Sequence, residues 1–213
     1  MLDREVIQEN KDRFIKALRK ITRPGADIEG LINRLDEGGF FEAPYTTDSF
    51  RSYAGGLCEQ ALCRYVELFS LKDRFDSVGI TMDSAIIVGL LADVGKMGYF
   101  ERNIRNKKVY SPNGKKVDEI GNFDWVAEEG YKVKDPKERF IFGSLCQNSE
   151  RIITDHIPLT IDESAAIIHL HADYENPNLN LASIYLTYPL AVFANCADKI
   201  ASFIDTREDS LPF

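Results

Sequence analysis

Histidine is the scarce residue in this chain: there are three in 213 positions, at 156, 169 and 171. A site that needs several imidazoles around an ion therefore has few to draw on. Cysteine is equally thin, at 58, 63, 146 and 196, with no C-x-x-C pair and no regular spacing. That excludes a zinc ribbon and a disulfide scaffold, and fits free thiols in a reducing compartment. No apolar run approaches the ~20 residues of a membrane span. The opening Met1-Leu2-Asp3-Arg4-Glu5 is charged where a signal peptide would be apolar, so the expected location is cytoplasmic, or the host cytoplasm for a viral source. No internal repeat and no low-complexity tract is present.

What the chain does have is an ordinary globular composition, 44% hydrophobic and 28% charged, enough for one sizeable core. Its net charge of −8 sets it against phosphate backbones and anionic membranes unless basic residues are concentrated locally. One such concentration exists. Arg102, Arg105, Lys107, Lys108, Lys115 and Lys116 fall within 102–117 with no acid among them. This stretch is a phosphate-reading lip, a nucleic-acid footprint, or a lysine-decorated hairpin kept soluble by its charge; nucleic acid is not otherwise expected. Phe123 and Trp125, placed in the following loop, could stack a base or tuck into the core.

Hydrophobic period predicts helices over 2–21, about 26–37, 55–69 and 84–94, then 143–156, one opening at the Thr160-x-x-Glu163 capping box, and 182–205. Arg23-Pro24-Gly25 stops the first, Gly38-Gly39 the second, and Thr81 caps the fourth. Pro189 predicts a kink or a break in the last. Between 99 and 135 the helical period is lost. Ile104–Tyr110, a Ser111-Pro112-Asn113-Gly114 turn and Lys115–Ile120 read as a β-hairpin, with Tyr131-Lys132-Val133 as a third strand. The expected architecture is mainly α, about seven helices with a small inserted β-hairpin. Residues 1–54 form a helical extension packed on a core domain of 55–205, and 206–213 a polar tail.

Three segments carry a resemblance. Gly55-Gly56-Leu57-Cys58-Glu59-Gln60, Leu90-Leu91-Ala92-Asp93-Val94-Gly95-Lys96 and Pro189-Leu190-Ala191-Val192-Phe193-Ala194-Asn195-Cys196-Ala197-Asp198 resemble, in order, the motif helices of HD-domain phosphohydrolases, in particular a group common in bacteriophages and Firmicutes. The ordered likeness runs from Gly55 to Asp205, about two-thirds of the chain. It implies an HD-like helical bundle and a cleft built for a metal and a phosphate ester. In that family a histidine, a His-Asp doublet and a distal aspartate hold a divalent ion. Here those positions read Gln60, Ala92-Asp93 and Asp198. A further motif falls near Ser144-Leu145 without ligands, and another at Leu170-His171 keeps one histidine.

Such a metal brings the pKa of water from about 15.7 to about 7. Its loss is worth roughly 12 kcal/mol of available nucleophile. The expectation is therefore a degenerate domain, a pseudoenzyme rather than an efficient hydrolase. It would bind a phosphorylated small molecule such as a nucleotide, or a protein partner, through the former cleft, with self-association left open. Asp93, Lys96 and Asp198 line that cleft, with Gln60 and His171 beside them and Arg102 and Arg105 on the lip. No cofactor is expected; Asp93 and Asp198 alone would hold Mg²⁺ or Mn²⁺ weakly. The alternatives are a working metal-dependent nucleotide phosphohydrolase with atypical ligands, and a structural subunit whose cleft is closed. Asp93 on a nearly all-apolar helix needs a partner, and Lys96 is the obvious one. His156 suits a helix C-terminus. His169 and His171, two apart on one helix, would diverge.

Overall fold

The computed structural model describes residues 2–47, 50–139, 143–172 and 180–204; the polar tail from 206 lies outside them. The chain is mainly helical with a small three-stranded antiparallel sheet. Among the described residues there are eight α-helices, where about seven were expected. They are α1 (Arg4–Leu18), α2 (Ile28–Glu37), α3 (Gly56–Arg74), α4 (Met82–Leu91), α5 (Leu145–Thr154), α6 (Ile161–Ile168), α7 (Leu181–Thr187) and α8 (Pro189–Phe203). The extra one comes from Pro189. It takes the first position of α8, where its missing N–H costs nothing, and so divides the predicted last helix in two.

Local chemistry sets the other boundaries. The Thr81 side chain caps α4 through Ser84 N–H. Full capping boxes open α5 (Ser144 with Gln147) and α6 (Thr160 with Glu163). The Glu163 carboxylate is buried and also takes both guanidinium nitrogens of Arg23, at 2.5 and 2.6 Å, which ties the first interhelical turn to α6. Helix α4 is buried along most of its length, Ser84 to Leu91, as its all-round apolar sequence requires.

One hydrophobic cluster runs through the body. Phe14 and Leu18 of α1, Leu31 and Leu35 of α2, and Phe40 and Phe41 share it with Leu57, Ile86, Leu90, Ile153, Ile167 and Leu190. The N-terminal 54 residues thus build the same core as the rest. Helix α3 packs on α4 and α8, and α8 on α6. Side chains from within α3 and α8 and from the segments that follow α4 and α6 meet at one place, which is where the chemistry of the chain gathers.

The sheet departs from its sequence reading. Strand β1 (Phe100–Tyr110) pairs along its whole length with β3 (Asn122–Val133), from Phe100 opposite Val133 to Tyr110 opposite Phe123. Only a short β2 (Lys116–Val117) adds to the far end of β3. The Ser111–Gly114 turn forms, with Gly114 N–H donating to the Ser111 carbonyl, but it does not join the paired strands. It packs so closely on β3 that a Cβ at Gly114 would lie 2.4 Å from the Phe123 nitrogen. Residues 131–133 are the end of β3, not a separate strand.

Pairing with β3 also answers the basic run. Across 100–133 there are seven basic and six acidic residues, so the hairpin as a whole is close to neutral. Lys107 meets Glu128, and Lys108 meets Asp118 at 2.7 Å. Hydrogen bonds from Lys108 and Tyr110 hold the Asp118 carboxyl down at about 2. Phe123 and Trp125 lie in β3 rather than in a loop. Phe123 is buried between Tyr110 and Trp125, with Lys108 over its ring. The aromatics of the ribbon pack on one another, with Phe123 buried and Trp125 and Tyr110 still exposed.

Candidate functional site: a closed ion cluster

The residues singled out by the sequence split into two places. Gln60, Asp93, Lys96, His171 and Asp198 converge; Arg102 and Arg105 stand apart on the sheet. What brings the five together is a sixth residue that sequence reasoning passed over. Leu57, Ala61, Arg64 and Leu68 form the fully buried stripe of α3, and Arg64 sits in it with no exposure at all. Its Nε donates to the Gly89 carbonyl of α4 at 3.0 Å. Its Nη1 donates to Asp93 Oδ2 and, at 3.0 Å, to Asp198 Oδ1. One guanidinium nitrogen thus serves both carboxylates that were expected to form at most a weak metal site.

Further donors crowd the two carboxylates. Asp93 Oδ1 lies 3.0 Å from Lys96 Nζ and 3.0 Å from His171 Nε2. Asp198 Oδ1 also accepts from Gln60 Nε2 at 3.1 Å, and its Oδ2 is 3.7 Å from His171 Nδ1. Gln60 donates further to Ser202 Oγ at 2.9 Å, while its carbonyl oxygen accepts from Arg51. Arg51 is itself buried, reaching Cys63 Sγ at 3.2 Å and lying 3.7 Å from Glu59. The Lys96 ammonium is covered by the Tyr45 ring, 3.6 Å from its centroid. Three permanent cations, Arg51, Arg64 and Lys96, are therefore set among three carboxylates, Glu59, Asp93 and Asp198. A buried cluster of this kind needs that balance.

The electrostatics follow from the geometry. Burial alone would raise the Asp93 pKa, but Lys96, Arg64 and His171 outweigh it and hold the carboxyl well below its usual range. Burial works against the charge on Arg64, and Asp93 and Asp198 more than restore it, so its pKa is raised. Burial beside the same two carboxylates pushes the Tyr45 phenol well up, so it stays neutral.

Backbone placement corrects several expectations. Asp93 is not on α4: that helix ends at Leu91, and Asp93 opens a 3₁₀ turn, Val94–Lys96, which throws Lys96 back to it. Helix α6 ends at Ile168, so His169 and His171 lie beyond it and the helical argument for their divergence does not apply. Asn195 of α8 donates to the Leu170 carbonyl at 3.1 Å and fixes the turn that presents His171. His156 does follow the end of α5, with Nδ1 3.5 Å from Asp27.

Gly95 explains part of the Asp-x-Gly-Lys spacing. Its N–H donates to Ser149 Oγ at 2.8 Å and its carbonyl accepts from Asn148, so the 3₁₀ turn is bolted to α5. A Cβ there would lie 2.2 Å from the Leu145 carbonyl oxygen. Because the obstacle is helix backbone, Gly95→Ala should destabilise by about 1–3 kcal/mol or more, measurable by urea melts against wild type.

An HD-type metal does not fit these side chains. A divalent ion would need to lie within about 2.0–2.6 Å of carboxylate oxygens that here accept from the Arg64 guanidinium. Among the described residues no group of three or more His, Cys, Asp or Glu is arranged to hold a metal ion.

Arg102 and Arg105 belong to other surroundings. Arg105 donates to the Tyr131 carbonyl. Arg102 lines a groove of about 740 Å³ between residues 52–54 and the base of the sheet, with Tyr53, Tyr131 and Lys132. No helix among the described residues is long and apolar enough to cross a membrane. The chain matches no family model, no curated protein and no solved structure.

Proposed function

We propose that this chain is an HD-like domain that has given up hydrolysis and serves as a binding domain. The observation that carries the proposal is the Arg64 guanidinium held between Asp93 and Asp198. The in-order motif segments at 55–60, 90–96 and 189–198 support the likeness, since they supply Gln60, Asp93, Lys96 and Asp198 to one cluster, as an HD cleft would require. In place of an open cleft with a polarised water, both oxygens of Asp93 and Oδ1 of Asp198 are engaged by the protein's own donors.

A phosphorylated small molecule then binds elsewhere, and the groove beside Arg102 is the place that suits it. Arg102 lines it without an ion-pair partner among the described residues, in company with Tyr53, Tyr131 and Lys132 and with two carboxylates, Glu101 and Glu129. The second reading is a protein-contact subunit. It is favoured by Ile104, Val117 and Ile120, all more than 70% exposed on the projecting sheet.

The test is phosphate release from nucleoside mono-, di- and triphosphates with Mg²⁺ or Mn²⁺. Release no faster than the buffer blank is expected. Brisk release abolished by EDTA would overturn the proposal. A thermal-shift panel with the same nucleotides separates the two binding readings: a shift lost in Arg102→Ala places the ligand in the groove, and no shift with any nucleotide favours the protein contact.

A further inference from the structure

The placement of Arg64 allows a more specific statement about divalent cations. A metal ion between two carboxylates accepts one oxygen from each, and Arg64 Nη1 does the same with Asp93 Oδ2 and Asp198 Oδ1. The guanidinium is anchored from behind by the Gly89 carbonyl, so it cannot swing away without leaving α4. It lies one helical turn after Gln60 on α3, and both side chains are fully buried. His171, the one imidazole at the cluster, faces both carboxylates from the opposite side, 3.0 Å from Asp93 and 3.7 Å from Asp198.

We infer that the Arg64 guanidinium is the resident counter-cation of the Asp93–Asp198 pair, holding the position a divalent ion would need and keeping such ions out of the native protein. Once the guanidinium is removed, Asp93 Oδ2 and Asp198 Oδ1 are left converging on the space it filled, a two-carboxylate site for a hard divalent cation such as Mn²⁺, with water completing the shell. The inference rests on the closed reading of the cleft given above.

The experiment uses the full chain and Mn²⁺ alone as the probe, by calorimetric titration and thermal melting. Wild type should take up no Mn²⁺ saturably at millimolar concentration. Arg64→Ala should melt roughly 10 °C lower, because a buried ion pair has lost one partner. It should bind one Mn²⁺ per chain and regain several degrees with it, and D198N added to R64A should abolish both effects. A folded R64A that ignores Mn²⁺, or a wild type that binds one equivalent, overturns the inference.

If R64A does not fold, R64Q is compared with the double variant R64Q/D198N, which removes the cation together with one of the two carboxylates it neutralises and leaves Asp93 paired with Lys96. Recovery of melting temperature in the double variant supports the counter-cation role. A double variant no more stable than R64Q shows that Arg64 serves packing alone, and overturns it. Mn²⁺-dependent phosphate release by wild type would instead overturn the closed-cleft reading itself. An inactive, metal-free wild type with a Mn²⁺-blind R64A leaves that reading standing and removes only this inference.

Discussion

Asp93→Asn should be among the most damaging single substitutions in the chain, lowering stability by about 3–5 kcal/mol. The change preserves shape but leaves Arg64 and Lys96 facing each other across a neutral amide, with Asp198 the nearest remaining carboxylate to Arg64. Arg64 is fully buried and Lys96 nearly so, hence neither cation can turn to water. The amide would also present an N–H₂ donor to groups that are themselves donors, which adds a desolvation cost to the lost attraction. For a domain of this size the melting temperature should fall by on the order of 10–15 °C. A calorimetric or circular-dichroism melt checks it. A fall of only a degree or two would mean that the cluster is far more solvated than its burial indicates.

The second large effect is on acid tolerance. Asp93 has a folded-state pKa held well below that of an unfolded aspartate, against the opposing influence of burial. Glu163 is likewise lowered, its burial outweighed by the Arg23 and Thr160 hydrogen bonds. For a depressed carboxyl, the stabilising contribution is fully present above the unfolded pKa, about 3.9 for Asp and 4.3 for Glu. It is lost as pH falls from there through the folded value. Stability should therefore be nearly flat in these two groups from pH 7 down to about 5, then drop steeply below 4. Urea midpoints measured across pH 3–7 give the slope. In Asp93→Asn the residual slope below pH 4 should be clearly shallower than in wild type, and an unchanged slope would remove Asp93 from the account.

Much of the fold could be read where a side chain acts on its own neighbours. Thr81, the Thr160–Glu163 box and the stop at Gly38–Gly39 are local chemistry and appear where expected. Pro189 acts locally too, and breaks rather than kinks. The sheet is different. The Ser111–Gly114 turn forms, yet β1 finds its partner beyond it in β3, because eleven paired positions outweigh the preference of one four-residue turn. The two histidines after α6 went astray for a related reason: the apolar period through Leu170 continues past the point where the hydrogen-bonded helix ends.

For the candidate site, the sequence pointed to five of its members and missed the one that defines it. Arg64 was legible in principle. A stripe running Leu57, Ala61, Arg64, Leu68 at helical spacing places a guanidinium in the middle of an apolar face, which demands buried carboxylates nearby. The apolar residues of α3 alone suggest a buried side of Leu57, Ala61, Leu62, Tyr65, Val66 and Phe69, which passes over Arg64; the structure centres the buried stripe on Leu57, Ala61, Arg64 and Leu68. Arg51 offered less signal, since its contact with Gln60 depends on the path of an irregular segment rather than on any period. The HD likeness itself rests on the ordered motif segments alone.

A cation that the chain supplies covalently obeys no mass action. A protein whose native state is completed by a bound ion gains stability as RT ln(1 + [ion]/Kd), and so follows the free concentration of that ion. The side chain on α3 has no such dependence: its occupancy is decided once, when the helices close around it. The melting temperature of this domain should then stand level between metal-starved and metal-replete conditions, a constancy bought at the expense of the chemistry an exchangeable ion would have offered.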